Sequence, residues 1–227
     1  MLSDRRKLFN DIASRYELLN HLMSAGRHLA WRRAVLNRLK PEPSQWVLDL
    51  CGGTGDFTLL FHRKIKTPFS HLLLLDLSEK MLHEANKKGK LQTVQGDATA
   101  LPLVDERFDI VVCGFGMRNL PSAQKGLEEC YRVLKNSGEL AILDLFKPNT
   151  PFTRFFYNGL GRFAVPIIGL LARRREEYRY LLESLQGFVT PQEFASWMVE
   201  AGFQEVTVQP LDGGIAHLLC GKKGGVS

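Results

Sequence analysis

Cysteine is scarce in this chain. Its four cysteines, Cys51, Cys113, Cys130 and Cys220, are spread over 227 residues. None forms a Cys-x-x-Cys pair, which argues against a zinc site, and no metal is expected. Widely spaced thiols without a secretory leader predict free cysteines in a reducing compartment. Long hydrophobic runs are missing too. The longest uncharged apolar stretch, Phe163 to Ala172, is interrupted by Pro166 and Gly169. A membrane-spanning helix needs about 20 apolar residues. The charged start, Met1 to Lys7, runs into no apolar segment of the kind a signal peptide carries. Repeats and low-complexity tracts are absent. A cytoplasmic protein of one domain, residues 1–227, is the resulting expectation.

The chain does have 44% hydrophobic residues, enough for a sizeable core, and a formal net charge of +6. That charge suits an anionic ligand, a nucleic acid or an acidic membrane surface, and selects none of them.

Periodicity divides the sequence into four parts. Residues 1–40 read as helices: Phe9, Ile12 and Ala13 share one face, followed by Tyr16, Leu19 and Leu22, and Trp31, Ala34, Val35 and Leu39 form another stripe. Pro41-Glu42-Pro43 marks a boundary. Residues 41–146 then alternate strands and helices. Strands are expected at 46–50, 72–75, 91–95, 108–113 and 140–145. Helices are expected at 55–64, after Ser78, and from Ala123 to a stop at Asn136-Ser137-Gly138. Residues 147–189, rich in aromatics and glycine and holding Arg173-Arg174-Arg175, read as an inserted helical cap. Residues 190–227 open with a capping box, Thr190-Pro191-Gln192-Glu193, and close with a strand hairpin around Asp212-Gly213-Gly214. The expected fold is α/β: a doubly wound, mostly parallel, seven-stranded Rossmann-like sheet with N-terminal helices and a cap.

The sharpest motif is Val47-Leu48-Asp49-Leu50-Cys51-Gly52-Gly53-Thr54-Gly55-Asp56. A strand enters a glycine turn that opens a helix, so backbone N–H groups face a closely approaching ligand. The dinucleotide fingerprint fails, because Thr58 stands where a third glycine belongs, and no Walker lysine follows. Asp49 and Asp56 would repel a pyrophosphate. A cationic ligand with a carboxylate tail fits better. Asp76, ending the second strand, can accept ribose hydroxyls. Asp97, in Gly96-Asp97-Ala98, can accept an adenine amino proton. Simple capping by these aspartates is the competing reading.

With these residues in place, the sequence resembles the ubiquinone/menaquinone biosynthesis C-methyltransferases, a branch of the class I methyltransferases. The resemblance covers nearly the whole chain. It is carried by Phe9 to Tyr16, Leu19 to Ser24, the glycine turn, Gly96 to Pro102, Phe115-Gly116-Met117-Arg118-Asn119, Tyr178 to Leu181 and Gly213 to Ala216. It implies methyl transfer from S-adenosyl-L-methionine to a ring carbon of a prenylated quinol, with demethylmenaquinol favoured and a benzoquinol as the alternative. By motif position it implies cofactor contacts at Asp49, Gly53, Thr54, Gly55, Asp76, Asp97, Ala98 and Gly114. Arg118 and Asn119 become the catalytic candidates, and Tyr16, Phe115, Tyr178 and Tyr180 candidates for the substrate pocket. Gly114 stands where some relatives carry serine, and Cys51 where the family usually has alanine. For Arg118, a structural ion pair with Asp144 or another carboxylate is the competing reading. A nucleic-acid substrate is not expected, since no Asn-Pro-Pro-Tyr motif, catalytic cysteine pair or RNA-binding module is present. A methyltransferase-fold protein acting on another small molecule, or an accessory protein that binds cofactor without catalysis, is the remaining alternative. Peripheral contact with a membrane surface follows from the lipophilic substrate, and a homodimer is left open.

Overall fold

The computed structural model describes residues 2–148, 151–159, 184 and 187–225. The N-terminal segment is helical throughout: α1 (Leu2–Ile12), a 3-10 turn (Ala13–Arg15), α2 (Tyr16–Met23) and α3 (Arg27–Leu39). The stripe expected on α3 is real. Trp31, Val35, Leu36 and Leu39 are buried.

The αβ alternation follows: β1 (Val47–Leu50), α4 (Asp56–Leu60), β2 (Leu72–Asp76), α5 (Glu79–Asn86), β3 (Gln92–Gln95), β4 (Phe108–Gly114), α6 (Ala123–Val133) and β5 (Leu134–Asp144). After α7 (Pro151–Gly159) come α8 (Pro191–Glu200), β6 (Phe203–Leu211) and β7 (Ala216–Lys223). One seven-stranded sheet results, in the order β3-β2-β1-β4-β5-β7-β6. Six strands run in one direction, and β7 alone runs antiparallel, between β5 and β6.

The central strands are apolar on both sides because helices cover both faces. Alternation along β4 makes this visible: Val111 and Cys113 join the core cluster containing Leu127 of α6 and Phe194 of α8. Ile110 and Val112 join the opposite cluster, with Trp31 and Val35 of α3 and Phe57 of α4. The end of α1 and the 3-10 turn pack separately onto α5, through Ile12, Ala13 and Met81.

Caps fall where the side-chain chemistry asks for them. Ser78 accepts the N–H of Met81, and Thr190 with Glu193 completes a reciprocal capping box with Pro191 at the first helical position. One boundary differs. Asn136-Ser137-Gly138 does not stop α6, which ends at Val133, where Leu134 turns extended and pairs with Phe108. The tripeptide instead forms an irregularity within β5, between the Leu134 and Glu139 pairings, with Ser137 at φ +62°. Glycine and asparagine serve bulges as readily as helix ends. Of the expected cap, Pro151–Gly159 is helical. Arg173 to Arg175, Tyr178 and Tyr180 lie outside the described residues.

Candidate cofactor and substrate cleft

The C-terminal ends of β1, β2 and β4 open onto a cleft of about 500 Å³ beneath α1 and α2. Parallel sheets bind ligands there because the strand ends diverge and helix N-termini point in. Its floor is Cys51, Gly53 and Gly116, one wall is Asp76, Leu77 and Met81, and the other is Phe115, Asn119 and Leu120. Arg5, Phe9 and Tyr16 close it from the N-terminal helices.

At Gly116 the floor is bare backbone because no side chain fits. A Cβ on Gly116 would lie 2.5 Å from Cys51 Cβ and 2.7 Å from Cys113 Sγ. Gly53 sits at φ +55° and donates its N–H to Asp76 Oδ2 at 2.9 Å. Asp76 Oδ1 accepts the Ser78 N–H at 2.8 Å, so this carboxylate ties the glycine turn to the start of α5. Burial pushes its pKa up to about 6 against the pull of those bonds.

Asp49 lies behind the floor. Its Oδ2 accepts both the N–H and the hydroxyl of Thr58, capping α4. Gly52 must be glycine here, since a Cβ would meet the Asp49 carboxylate at 2.7 Å. Burial raises Asp49 to about 7, and its Oδ1 is buried with no hydrogen-bond partner. A buried acceptor left in that state calls for a donor. Together, an open glycine floor, an orphaned carboxylate oxygen and Asp76 fit a ligand carrying an ammonium group and a ribose.

Arg118, the expected catalytic residue, stands behind Phe115 and Asn119 and is not part of the cleft lining. Its guanidinium pairs with Asp144, which is wholly buried, and donates to the Phe115 carbonyl at 3.1 Å. The Asn119 amide donates to the same carbonyl at 2.9 Å. Both side chains thus hold Phe115 at φ +62°, with its ring lining the cleft. The Phe115 ring also lies 5.3 Å from the buried Arg32 guanidinium. Burial raises the Tyr16 phenol above its ordinary range, with hydrogen bonding to Asn20 and the charges of Arg118 and Arg32 opposing it.

The structure therefore gathers Tyr16, Gly53, Asp76, Phe115 and Asn119 around one cavity. It sets other expected residues back from the lining. Thr54 turns its hydroxyl to Glu17 on α2 (2.9 Å), and Lys88 clasps Glu17 and the Thr54 carbonyl. Gly55 packs against Leu74 and Leu91, and a Cβ on Gly114 would strike the Phe57 ring at 2.7 Å. Ala98 is buried, and Asp97 Oδ1 accepts the N–H and hydroxyl of Thr99 in its own turn. Sequence reading passed over Arg5, Leu77, Met81 and Leu120. Met81 lies on the buried face of α5 and also lines the cleft. Arg5 carried no signal; its guanidinium reaches the Asn119 carbonyl, 114 residues away, at 2.6 Å.

Residues 3–223 match the ubiE/COQ5 methyltransferase family. The ubiquinone/menaquinone biosynthesis C-methyltransferase UbiE of Methylobacterium nodulans is 37% identical, over 96% of this chain and 89% of its own length. The demethylmenaquinone methyltransferase of Alkalihalophilus pseudofirmus is 35% identical, over 96% of this chain and 95% of its own. Among solved structures, an S-adenosylmethionine-dependent methyltransferase from Thermotoga maritima superposes with a TM-score of 0.70 at 20% identity, covering 96% of this chain and 99% of that one. A glycine-floored cleft at the strand ends, this sheet order and a match over nearly every residue lead to one assignment: the chain belongs to the ubiE/COQ5 methyltransferase family, whose cofactor is S-adenosyl-L-methionine.

Proposed function

We propose that the chain transfers a methyl group from S-adenosylmethionine to a ring carbon of a prenylated quinol, with demethylmenaquinol as its substrate. The observation that carries this reading is the cleft itself. Asp76 and the bare floor at Gly53 and Gly116 stand beside an aromatic wall of Phe9, Tyr16 and Phe115. A polar nucleoside site next to a flat apolar slot suits a cofactor and a fused ring together.

The cofactor supplies an electrophilic methyl on a sulfonium. The Asp76 carboxylate would accept the ribose hydroxyls, and the buried Asp49 Oδ1, behind the glycine floor, would attract the ammonium end. The backbone of Gly53 would approach the amino-acid portion, with Thr54 and Gly55 supporting the turn from behind; Asp97, Ala98 and Gly114, set back from the lining, would back the adenine end. A quinol carbon becomes nucleophilic when its neighbouring hydroxyl loses a proton and the charge spreads into the ring. Arg118 stays protonated throughout, since a guanidinium pKa exceeds about 12. Its charge, held in place by Asp144, stabilises the developing oxyanion, and the proton leaves to water. Asn119 fixes the Phe115 carbonyl and so the ring that packs on the quinol. Tyr16 closes the pocket. Fixing the carbon in line with the methyl would contribute up to about 7–11 kcal/mol.

Labelled S-adenosylmethionine offered with demethylmenaquinol and with the benzoquinol precursor, under reducing conditions, tests the proposal. Label is expected in the naphthoquinol product. Faster transfer to the benzoquinol would move the chain to ubiquinone biosynthesis, and cofactor binding without transfer to either ring would remove the quinol reading.

A further inference from the structure

The outer side of the N-terminal helices carries features that the cleft does not use. Leu18, Leu22 and Leu29 are 60%, 55% and 46% exposed. They are half of the six large hydrophobic side chains exposed among the described residues, and they fall within twelve positions. Leu18 and Leu22, four residues apart on α2, share one helix face. Leu29 lies in the first turn of α3, just across the tight turn that joins the two helices.

Charge of one sign surrounds them. Residues 12–40 hold Arg15, Arg27, Arg32, Arg33, Arg38 and Lys40 against a single acid, Glu17. Glu17 is engaged by Lys88, Arg27 by Asp212 and the buried Arg32 by Asp56. Arg15, the N-cap of α2, is exposed three residues before Leu18, and Arg33 is exposed one helical turn after Leu29. A leucine face bordered by arginines is the composition of a helix that lies in an anionic interface, with its apolar side among acyl chains and its cations at the phosphates. An exposed apolar cluster of this kind marks an interaction surface.

We propose that α2 and the start of α3 dock on an anionic lipid bilayer, with Leu18, Leu22 and Leu29 entering it and Arg15 and Arg33 meeting headgroup phosphates. α2 also carries Tyr16, which closes the cleft, and Glu17, the clasp on Thr54. Docking therefore brings the cleft wall to the surface that holds prenylated molecules. The inference deepens the quinol reading by naming the partner surface, yet it rests on exposed leucines and charge that are independent of the reaction.

The test is flotation of the full chain with vesicles of phosphatidylglycerol and phosphatidylcholine, against phosphatidylcholine alone. The wild type is expected to float with the anionic vesicles and to release at high salt. Leu18→Gln/Leu22→Gln/Leu29→Gln should lose at least tenfold in vesicle affinity, and Arg15→Gln/Arg33→Gln should lose the anionic preference. Both variants should bind S-adenosylhomocysteine as the wild type does, which shows them folded, and should turn over a short-tailed quinol unchanged. A wild type that floats with neither vesicle, or a leucine variant that floats as well as it, overturns the proposal. So does a dimeric wild type that the leucine changes convert to a monomer, since the face then belongs to a second copy. Flotation without quinol methylation would leave docking intact and sink only the reaction.

Discussion

Asp76 and Asp49 hold their protons more tightly in the folded chain than an exposed carboxylate would, at about 6 and about 7, because both are buried. Their contribution to stability is full below the ordinary carboxylate range and is lost as pH rises through 6–7. Burial has the opposite result for His28 and His217, lowered to about 4; their contribution is present above the ordinary imidazole value and is lost on acidification toward 4. A cofactor whose hydroxyls and ammonium favour ionised carboxylates should bind more tightly as pH rises through about 6, releasing a proton on binding. Calorimetry in two buffers of different ionisation enthalpy measures that proton, and Asp76→Asn should flatten the profile. Arg118 calls for a different separation. Arg118→Ala leaves Asp144 buried and unpaired, costing about 3–5 kcal/mol, so lost activity alone would not identify its role. Arg118→Met combined with Asp144→Leu should recover most of the melting temperature and still show no methyl transfer. A double variant that regains turnover would reduce Arg118 to scaffolding. At this scale the sequence located Asp76, Gly53, Phe115 and Asn119, because strand-end motifs fix their place. It gave no access to Arg5 or the Glu17–Lys88 clasp, which depend on how separate helices dock.

Helices and strands were easier to read than their ends. The unbroken Leu72–Leu75 run identified a strand covered on both faces, and Thr190 to Glu193 placed the start of α8. Asn136-Ser137-Gly138 misled because its residues serve a bulge as well as a helix stop, and only pairing of Leu134 with Phe108 decides between them. The connection from β4 toward α6 has a sharper requirement. Gly116 packs so closely on Cys51 and Cys113 that Gly116→Ala should destabilise by about 1–3 kcal/mol and weaken cofactor binding. Thermal melts with and without S-adenosylhomocysteine would show both effects. Normal cofactor affinity in that variant would mean the floor is less rigid than the packing at Cys51 implies.

For the molecule as a whole, the cleft joins distant parts of the chain: α1 and α2, the turns after β1 and β2, and the segment after β4. A ligand filling it should stabilise the assembly as a unit. S-adenosylhomocysteine at 100 times its dissociation constant contributes about 2.7 kcal/mol. For a domain of this size each kcal/mol raises the melting temperature by roughly 2–4 °C, and scanning calorimetry should find a single shifted transition. Two transitions, with only one responding, would mean that the N-terminal helices melt apart from the sheet. The order of the sheet has a further consequence, for biosynthesis. β7 is made last of the seven strands but lies between β5 and β6, both already translated. Until it emerges, β5 keeps an open hydrogen-bonding edge at Ile142 and Leu143, and β6 has no partner. On the ribosome, the half-built sheet must wait with that sticky margin exposed, which is when a holding chaperone would matter most.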